Sequence, residues 1–195
     1  MGTRERILLA AREVIDTKGP VHATTREIAR AAGLSEGALY KHFESKEELL
    51  LSLLKESPTG FVSMVMELPE RAGSGSVRDN LQAIGVAAID FYGESLPLGA
   101  LFLADPRLLQ RSQSLFENRK AGPHKAIIAL AHYISAEQEL GRIAPQVDPE
   151  SVANLFFGAC FQKAYLMKFL GQEKSDEEIE RFIAGLLATL WPALK

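Results

Sequence analysis

From Thr3 to Lys18 the apolar residues Ile7, Leu8, Ala11, Val14 and Ile15 recur at helical spacing, while Arg4, Arg6, Arg12 and Lys18 fall off that stripe. Gly19-Pro20 ends this first helix. Between Thr24 and Leu50 the pattern shortens. Thr24 or Thr25 caps a helix whose apolar side is Ile28, Ala29 and Ala32, and Gly33 supplies the turn. Ser35 caps a second short helix bearing Ala38, Leu39 and His42 or Phe43. Ser45 caps the next, with Glu48 three residues on as in a capping box. The first stripe should pack on Ile28, Leu39 and Phe43 to form the small core of a three-helix head.

From Lys46 onward Leu49, Leu50, Leu53 and Leu54 give one apolar edge joining the head to the helical body, with Pro58 expected to end or kink the helix near Ser57. A piece from Phe61 to about Leu68 precedes Pro69 and the flexible Gly73-Ser74-Gly75-Ser76 segment. That segment lacks the Lys-Ser/Thr and preceding strand of a phosphate-binding loop. The pattern predicts a long helix from Val77 to Ser95 broken at Pro97, then short apolar Leu98 to Ala104, then Pro106 to about Lys120. Pro123 opens a helix to about Leu140 with Ile127, Leu130, Ala131 and Ile134 inward, closed by Gly141. Asp148-Pro149 starts another to about Leu170, and Asp176 starts a last one ending before Pro192. No period-two strand pattern persists. The expected fold is all-α with about nine or ten helices. A helix-turn-helix head spans residues 1–45 and a larger helical body residues 46–195.

The last two long helices are apolar on more than one side. Val152, Leu155, Phe156, Ala159, Leu166, Met167 and Leu170 form one stripe of residues 149–170, and Phe157, Phe161, Tyr165 and Phe169 another, beside Gly158. In the final helix Ile179, Phe182, Ile183, Leu186 and Leu190 align, flanked by Ala184, Gly185, Ala188 and Trp191. Such helices are buried on both sides, either wholly in the core or across a two-fold interface.

Composition sets bounds without choosing a function. The chain has 195 residues, 47% hydrophobic, enough for one domain or two small ones sharing a core. A single cysteine, Cys160, excludes an internal disulfide. With no leader-like start and no apolar run expected to span a bilayer, the expectation is a cytoplasmic protein without a membrane partner. The net charge of -3 hides an asymmetry: residues 1–55 hold nine Lys and Arg against eight Asp and Glu, the remainder thirteen against seventeen. A positive surface on the head must therefore come from placement on one face.

At Thr24-Thr25-Arg26-Glu27-Ile28-Ala29 through Gly33-Leu34-Ser35, Ala38-Leu39-Tyr40-Lys41-His42-Phe43 and Ser45-Lys46-Glu47-Glu48-Leu49, the chain resembles the DNA-binding head of the TetR family of bacterial repressors. The likeness covers roughly residues 4 to 55; beyond them it is architectural. It implies a homodimer on double-stranded operator DNA, with Ser35 to Phe43 as recognition helix. Thr25, Tyr40 and Lys46 match phosphate-contacting positions, and Arg26, Ser35, Gly37, Ala38, Lys41 and His42 lie where groove and backbone contacts occur. The chemistry agrees for several. Hydroxyls and a Lys near helix starts suit phosphate, Arg26 and Lys41 suit guanine O6 and N7, and Ala38 suits a thymine methyl. Glu36 has two readings, acceptor from cytosine N4 or stabiliser of its own helix start. His42 likewise reads as a phosphate contact or a packed residue, whereas His22 is an ordinary loop histidine.

The resemblance also implies a small-molecule effector that changes the spacing of two heads, which must fit major grooves about 34 to 36 Å apart. Candidate effector residues are Met64, Phe91, Tyr92, Phe102, Phe116, Tyr133 and Phe156, each equally a core residue. Lys163, inside an apolar stripe, either snorkels, pairs with an acid, or receives an anionic effector. The dimer implied by the family would use Phe157, Gly158, Phe161, Tyr165, Phe182 and Gly185. No cofactor or metal is expected, since His124 and His132 stand about 12 Å apart along a helix. No Gly-x-Ser-x-Gly, Cys-x-x-Cys, His-Glu-x-x-His or P-loop motif occurs, so no enzyme is expected. The competing readings are an all-helical enzyme with dispersed catalytic residues and a nonsequence-specific DNA binder.

Overall fold

The computed structural model describes residues 2–56, 59–118 and 122–195, and among them every regular element is helical. The chain divides into two compact units. One comprises Met1–Ser57 with Ser95–Ala121, the other Pro58–Glu94 with Gly122–Lys195.

In the first unit α1 (Thr3–Lys18) begins where the Gly2 amide donates to Glu5 Oε2 at 2.8 Å and ends at Gly19, whose φ of 81° suits a residue without Cβ. Three short helices come next, α2 (Thr25–Ala31), α3 (Glu36–Leu39) and α4 (Lys46–Lys55). Each is started by a hydroxyl. Thr24 accepts from the Glu27 amide at 3.2 Å, Ser35 from Ala38 at 3.2 Å and Ser45 from Glu48 at 3.1 Å. Such a cap contributes about 1 kcal/mol, a large share of what a four-residue helix needs to form. Ile7, Ile28, Leu39, Phe43, Leu49 and Leu50 are fully buried together. At about 1.5–3 kcal/mol per large apolar side chain, that cluster closes the head.

The head does not stop at residue 45. Leu53 of α4 joins its core, as do Leu98 and Phe102 from the end of α6 (Val77–Ala104) and Leu108 of α7 (Pro106–Asn118). The buried Glu47 carboxylate accepts from Arg111 at 3.1 Å. Burial alone would raise its pKa, but hydrogen bonds from its own amide, Arg111 and Ser45 outweigh that and hold it low. The α5 helix (Phe61–Glu67) starts after Gly60. The expected stop near Ser57-Pro58 and the expected end of α7 at Lys120 lie outside the described residues.

Two prolines did not do what the sequence suggested. Pro97 sits inside the continuous 28-residue α6, and Pro192 inside α10 (Asp176–Leu194). A proline removes one backbone donor and clashes with the preceding turn. Here apolar side chains beyond it, Leu98 and Phe102 after Pro97 and Leu194 after Pro192, are buried, which offsets the lost bond. Because it is unbroken, α6 is long and apolar enough by length and composition to cross a bilayer, contrary to the expectation of no such run. Asp90 within it is ion-paired to Lys174 at 2.9 Å.

The second unit packs α8 (His124–Glu139) and α9 (Pro149–Phe169) against one another and against α5, with α10 beside α9. Asp148 caps α9 by accepting from the Ser151 amide at 2.8 Å, and its carboxyl pKa is lowered by the Ser151 side chain first and by that amide second. At Gly85 of α6 an added Cβ would stand 2.8 Å from Ile183 Cδ1 and 3.0 Å from Phe156 Cζ, so this glycine allows a close approach. Glu137 is wholly buried. Its Oε1 accepts from the Gly73 amide at 3.2 Å and its Oε2 lies 3.1 Å from Arg142 Nε, while Arg142 also donates to the Gly75 carbonyl at 2.5 Å. The Gly73–Ser76 connection is thus tied to the end of α8.

Candidate nucleic-acid interface

The expected DNA-facing side chains lie on α2, in and around α3 and at the start of α4, and all are at least partly accessible. Arg26 on α2, Ser35, Gly37, Tyr40, Lys41 and His42 in and around α3 are exposed; Thr25, Ala38 and Lys46 are half-buried. Leu39 and Phe43, between them in sequence, are 0% and 1% exposed. His42 is therefore on the surface and not packed. The α-helical part of the expected recognition helix is shorter than the Ser35 to Phe43 segment. After Leu39 the chain continues in turns, with Lys41 and His42 donating to carbonyls three residues back at 3.3 and 2.9 Å. This tighter winding carries Phe43 back into the core.

Several of the head's cations are occupied internally. Arg4 donates to Glu56 at 2.5 Å and lies 5.0 Å from the Phe43 ring centre; Arg6 donates to the Ala32 carbonyl at 3.1 Å, at the end of α2. Lys18 and Arg30 both pair with Glu27, which lowers that carboxyl's pKa, the Lys18 hydrogen bond contributing most. Arg26, Lys41 and Lys46 are among the basic residues of the α2–α4 segment. A contact between hydroxyls and an acid completes it. Thr25 Oγ1 donates to Glu36 Oε1 at 2.5 Å, and Tyr40 OH lies 3.5 Å from Thr25 Oγ1. The separation of Thr25 and Glu36 along the chain gave no sign of this pairing.

The candidate effector residues are divided between the two units. Phe102 is part of the head's core and Phe116 is half-buried on α7, both in the first unit. In the second unit Phe91 and Tyr92 stack around Phe61 with ring centres 5.0 and 6.0 Å away, and Phe156 is fully buried against Phe157. Burial raises the Tyr92 phenol pKa. Met64 is half-buried. Tyr133 is wholly enclosed, its OH accepting from Asn80 Nδ2 at 2.9 Å; burial pushes its pKa up to about 12. Lys163 Nζ lies 5.8 Å from the Phe182 ring centre, a cation–π placement. An open cavity of about 560 Å³ in this unit is lined by Gln138, Arg142, Ile143, Trp191 and Lys195 among others, and by none of the candidates.

Of the residues expected between subunits, Gly158, Phe161, Tyr165 and Gly185 are exposed. Phe157 is a correction: it is 3% exposed, edge-on to Phe61 at 5.7 Å, and belongs to the interior of the second unit. Phe182 is half-covered beneath Lys163. Leu155, Leu166 and Leu170, on the other apolar stripe, are 63%, 38% and 60% exposed. Cys160 is buried and its thiol pKa is pushed up to about 12 by that burial. Among the described residues no cluster of three or more His, Cys, Asp or Glu side chains is arranged to hold a metal ion.

Residues 7–53 match the family model for bacterial regulatory proteins of the tetR family. The transcriptional repressor BepR of Brucella suis is 46% identical over 52 residues, 27% of this chain and 25% of its own length. The regulator EthR of Mycolicibacterium smegmatis is 27% identical over 187 residues, 92% of this chain and 80% of that one. The crystal structure of FadR from Bacillus subtilis with stearoyl-CoA superposes with a TM-score of 0.68 at 19% identity, covering 94% of this chain and 96% of that chain. Curated relatives 46% to 48% identical over 52 residues of the head are matched over only 24% to 39% of their own length. The capped α2–turn–α3 arrangement, its buried Leu39 and Phe43 and this similarity agree, and residues 7–53 form a head of the kind found in bacterial regulatory proteins of the tetR family.

Proposed function

We propose that the protein is a homodimeric, sequence-specific DNA-binding transcriptional repressor, released from its operator by a small-molecule effector and acting in the cytoplasm. The observation that carries this reading is the α2–α4 surface, where Thr25, Arg26, Tyr40, Lys41, His42 and Lys46 are accessible over a closed core. Thr25, Tyr40 and Lys46 contact phosphates. Arg26 and Lys41 read guanine, Ala38 meets a thymine methyl, and Ser35, Gly37 and His42 follow the groove. Similarity to BepR, a repressor, supports the direction of regulation.

A two-fold operator needs two heads. Phe161, Tyr165, Leu166, Phe169 and Leu170, exposed along α9 beside Gly158, support a second copy packed on α9 and α10, since contiguous apolar surface of this kind marks an interaction face. For the effector, the stearoyl-CoA in the FadR structure supports a ligand with a large apolar part. Met64, Phe91, Tyr92, Tyr133, Phe156 and Lys163, all of the second unit, are the residues offered to it. Such a ligand acts by binding the non-DNA conformation more tightly.

Selection from a random duplex pool with the purified protein tests the reading. It should yield a two-fold symmetric sequence with half-sites a whole number of turns apart, bound at least about 10³-fold more tightly than a scrambled duplex at one salt concentration. Equal affinity for the two would reject it.

A further inference from the structure

We propose that Glu36 is an anionic latch on the phosphate-binding hydroxyls and thereby sets how strongly the protein discriminates its operator from other DNA. The inference rests on the reading of the head as a DNA-binding surface. A carboxylate only accepts, so in the 2.5 Å contact Thr25 must be the donor. A hydroxyl has one proton. With that proton given to Glu36, Thr25 can only accept from Tyr40, whose OH stands 3.5 Å away. Both hydroxyls offered to phosphate thus direct their protons inward, along a relay that ends on a negative charge.

A DNA phosphate is also an acceptor and also negative. To be held by Thr25 and Tyr40 it must take the Thr25 proton from Glu36 and force the carboxylate aside. That cost falls on every sequence alike. Glu36 is the first residue of α3, so the displaced carboxylate turns toward the groove that α3 faces. A cytosine amino group there gives it a new donor; a position without one leaves it unpaired beside phosphate. Glu36 therefore weakens non-cognate binding more than cognate binding. This joins the cytosine reading of Glu36 to a second role, in which it links α2 to α3 when no DNA is bound.

The experiment measures affinity of the wild type, Glu36→Gln, Thr25→Val and the double variant for a duplex selected from a random pool by the wild type and for a scrambled duplex. Thermal melts establish that each variant is folded. Glu36→Gln should bind scrambled DNA about fivefold more tightly, the loss of one like-charge contact in water, tighten selected DNA less, and so lower the selected-to-scrambled ratio. In the Thr25→Val background the same substitution should have less than half this effect on a logarithmic scale. An unchanged ratio in Glu36→Gln, or an undiminished effect beside Thr25→Val, would overturn the latch. If the wild type itself selected no sequence, the DNA-binding reading would fail instead.

Discussion

Two surfaces of this protein are exposed for opposite physical reasons. On the head, the outward residues of α2–α4 are Thr, Arg, Tyr, Lys, His and Glu, and every large aliphatic side chain of α3 is hidden. Along α9 and at its end the outward residues include large apolar ones, with Leu155, Phe169 and Leu170 at 63%, 72% and 60% exposure. A polar face over a closed core is stable in water and awaits a charged, reversible partner. An apolar face of this kind is stable only when covered. The difference teaches that accessibility alone does not define a site; what matters is whether water already satisfies the groups on it.

The largest expected effect breaks the apolar side of this contrast. Leu166→Glu on α9 should raise the dimer dissociation constant by about a hundredfold or more, since it buries an unpaired charge in the proposed interface. Sedimentation velocity over a concentration series would read this, and an unaltered association would mean that α9 meets nothing there. Gly85→Val probes the interior beneath that face. With Ile183 Cδ1 2.8 Å from where a Cβ would stand, overpacking should cost about 1–3 kcal/mol, lowering the melting temperature by several degrees while leaving association intact.

The head should respond differently. Lys46→Ala should weaken binding to selected and scrambled duplexes alike and reduce the magnitude of the slope of log K against log salt by about 0.9, one phosphate contact, with folding unchanged. A retained slope would remove Lys46 from the phosphate set. The smallest effect is confined to alkaline pH. Tyr133 is neutral when folded, with its pKa raised to about 12, whereas an unfolded tyrosine ionises near about 10. The unfolded state therefore loses its proton first. The stability from this group is fully present below pH 10 and declines as pH rises to about 12. Denaturant midpoints of wild type and Tyr133→Phe across that window should converge on the alkaline side; parallel curves would show that Tyr133 ionises as freely in the fold as outside it.

The sequence by itself determined what local physics controls. Hydroxyl caps at Thr24, Ser35 and Ser45 started three helices where their side chains reach amides three residues on, and helical spacing predicted that Leu39 and Phe43 are buried. The all-helical class and the candidate DNA surface were legible too, because caps, turns and short stripes act within a few residues. Tertiary structure decided the rest. Pro97 and Pro192 stayed inside helices because Leu98, Phe102 and Leu194 beyond them are buried by distant partners. On α9 two apolar stripes were visible, but which faces inward depends on Phe61 and α8, so Phe157 turned in and Leu155, Leu166 and Leu170 turned out. The Glu137–Arg142 pair and the Thr25–Glu36 bond join residues whose spacing carries no periodic signal. Spacing along a chain encodes which residues share a face; only packing between elements decides what that face meets.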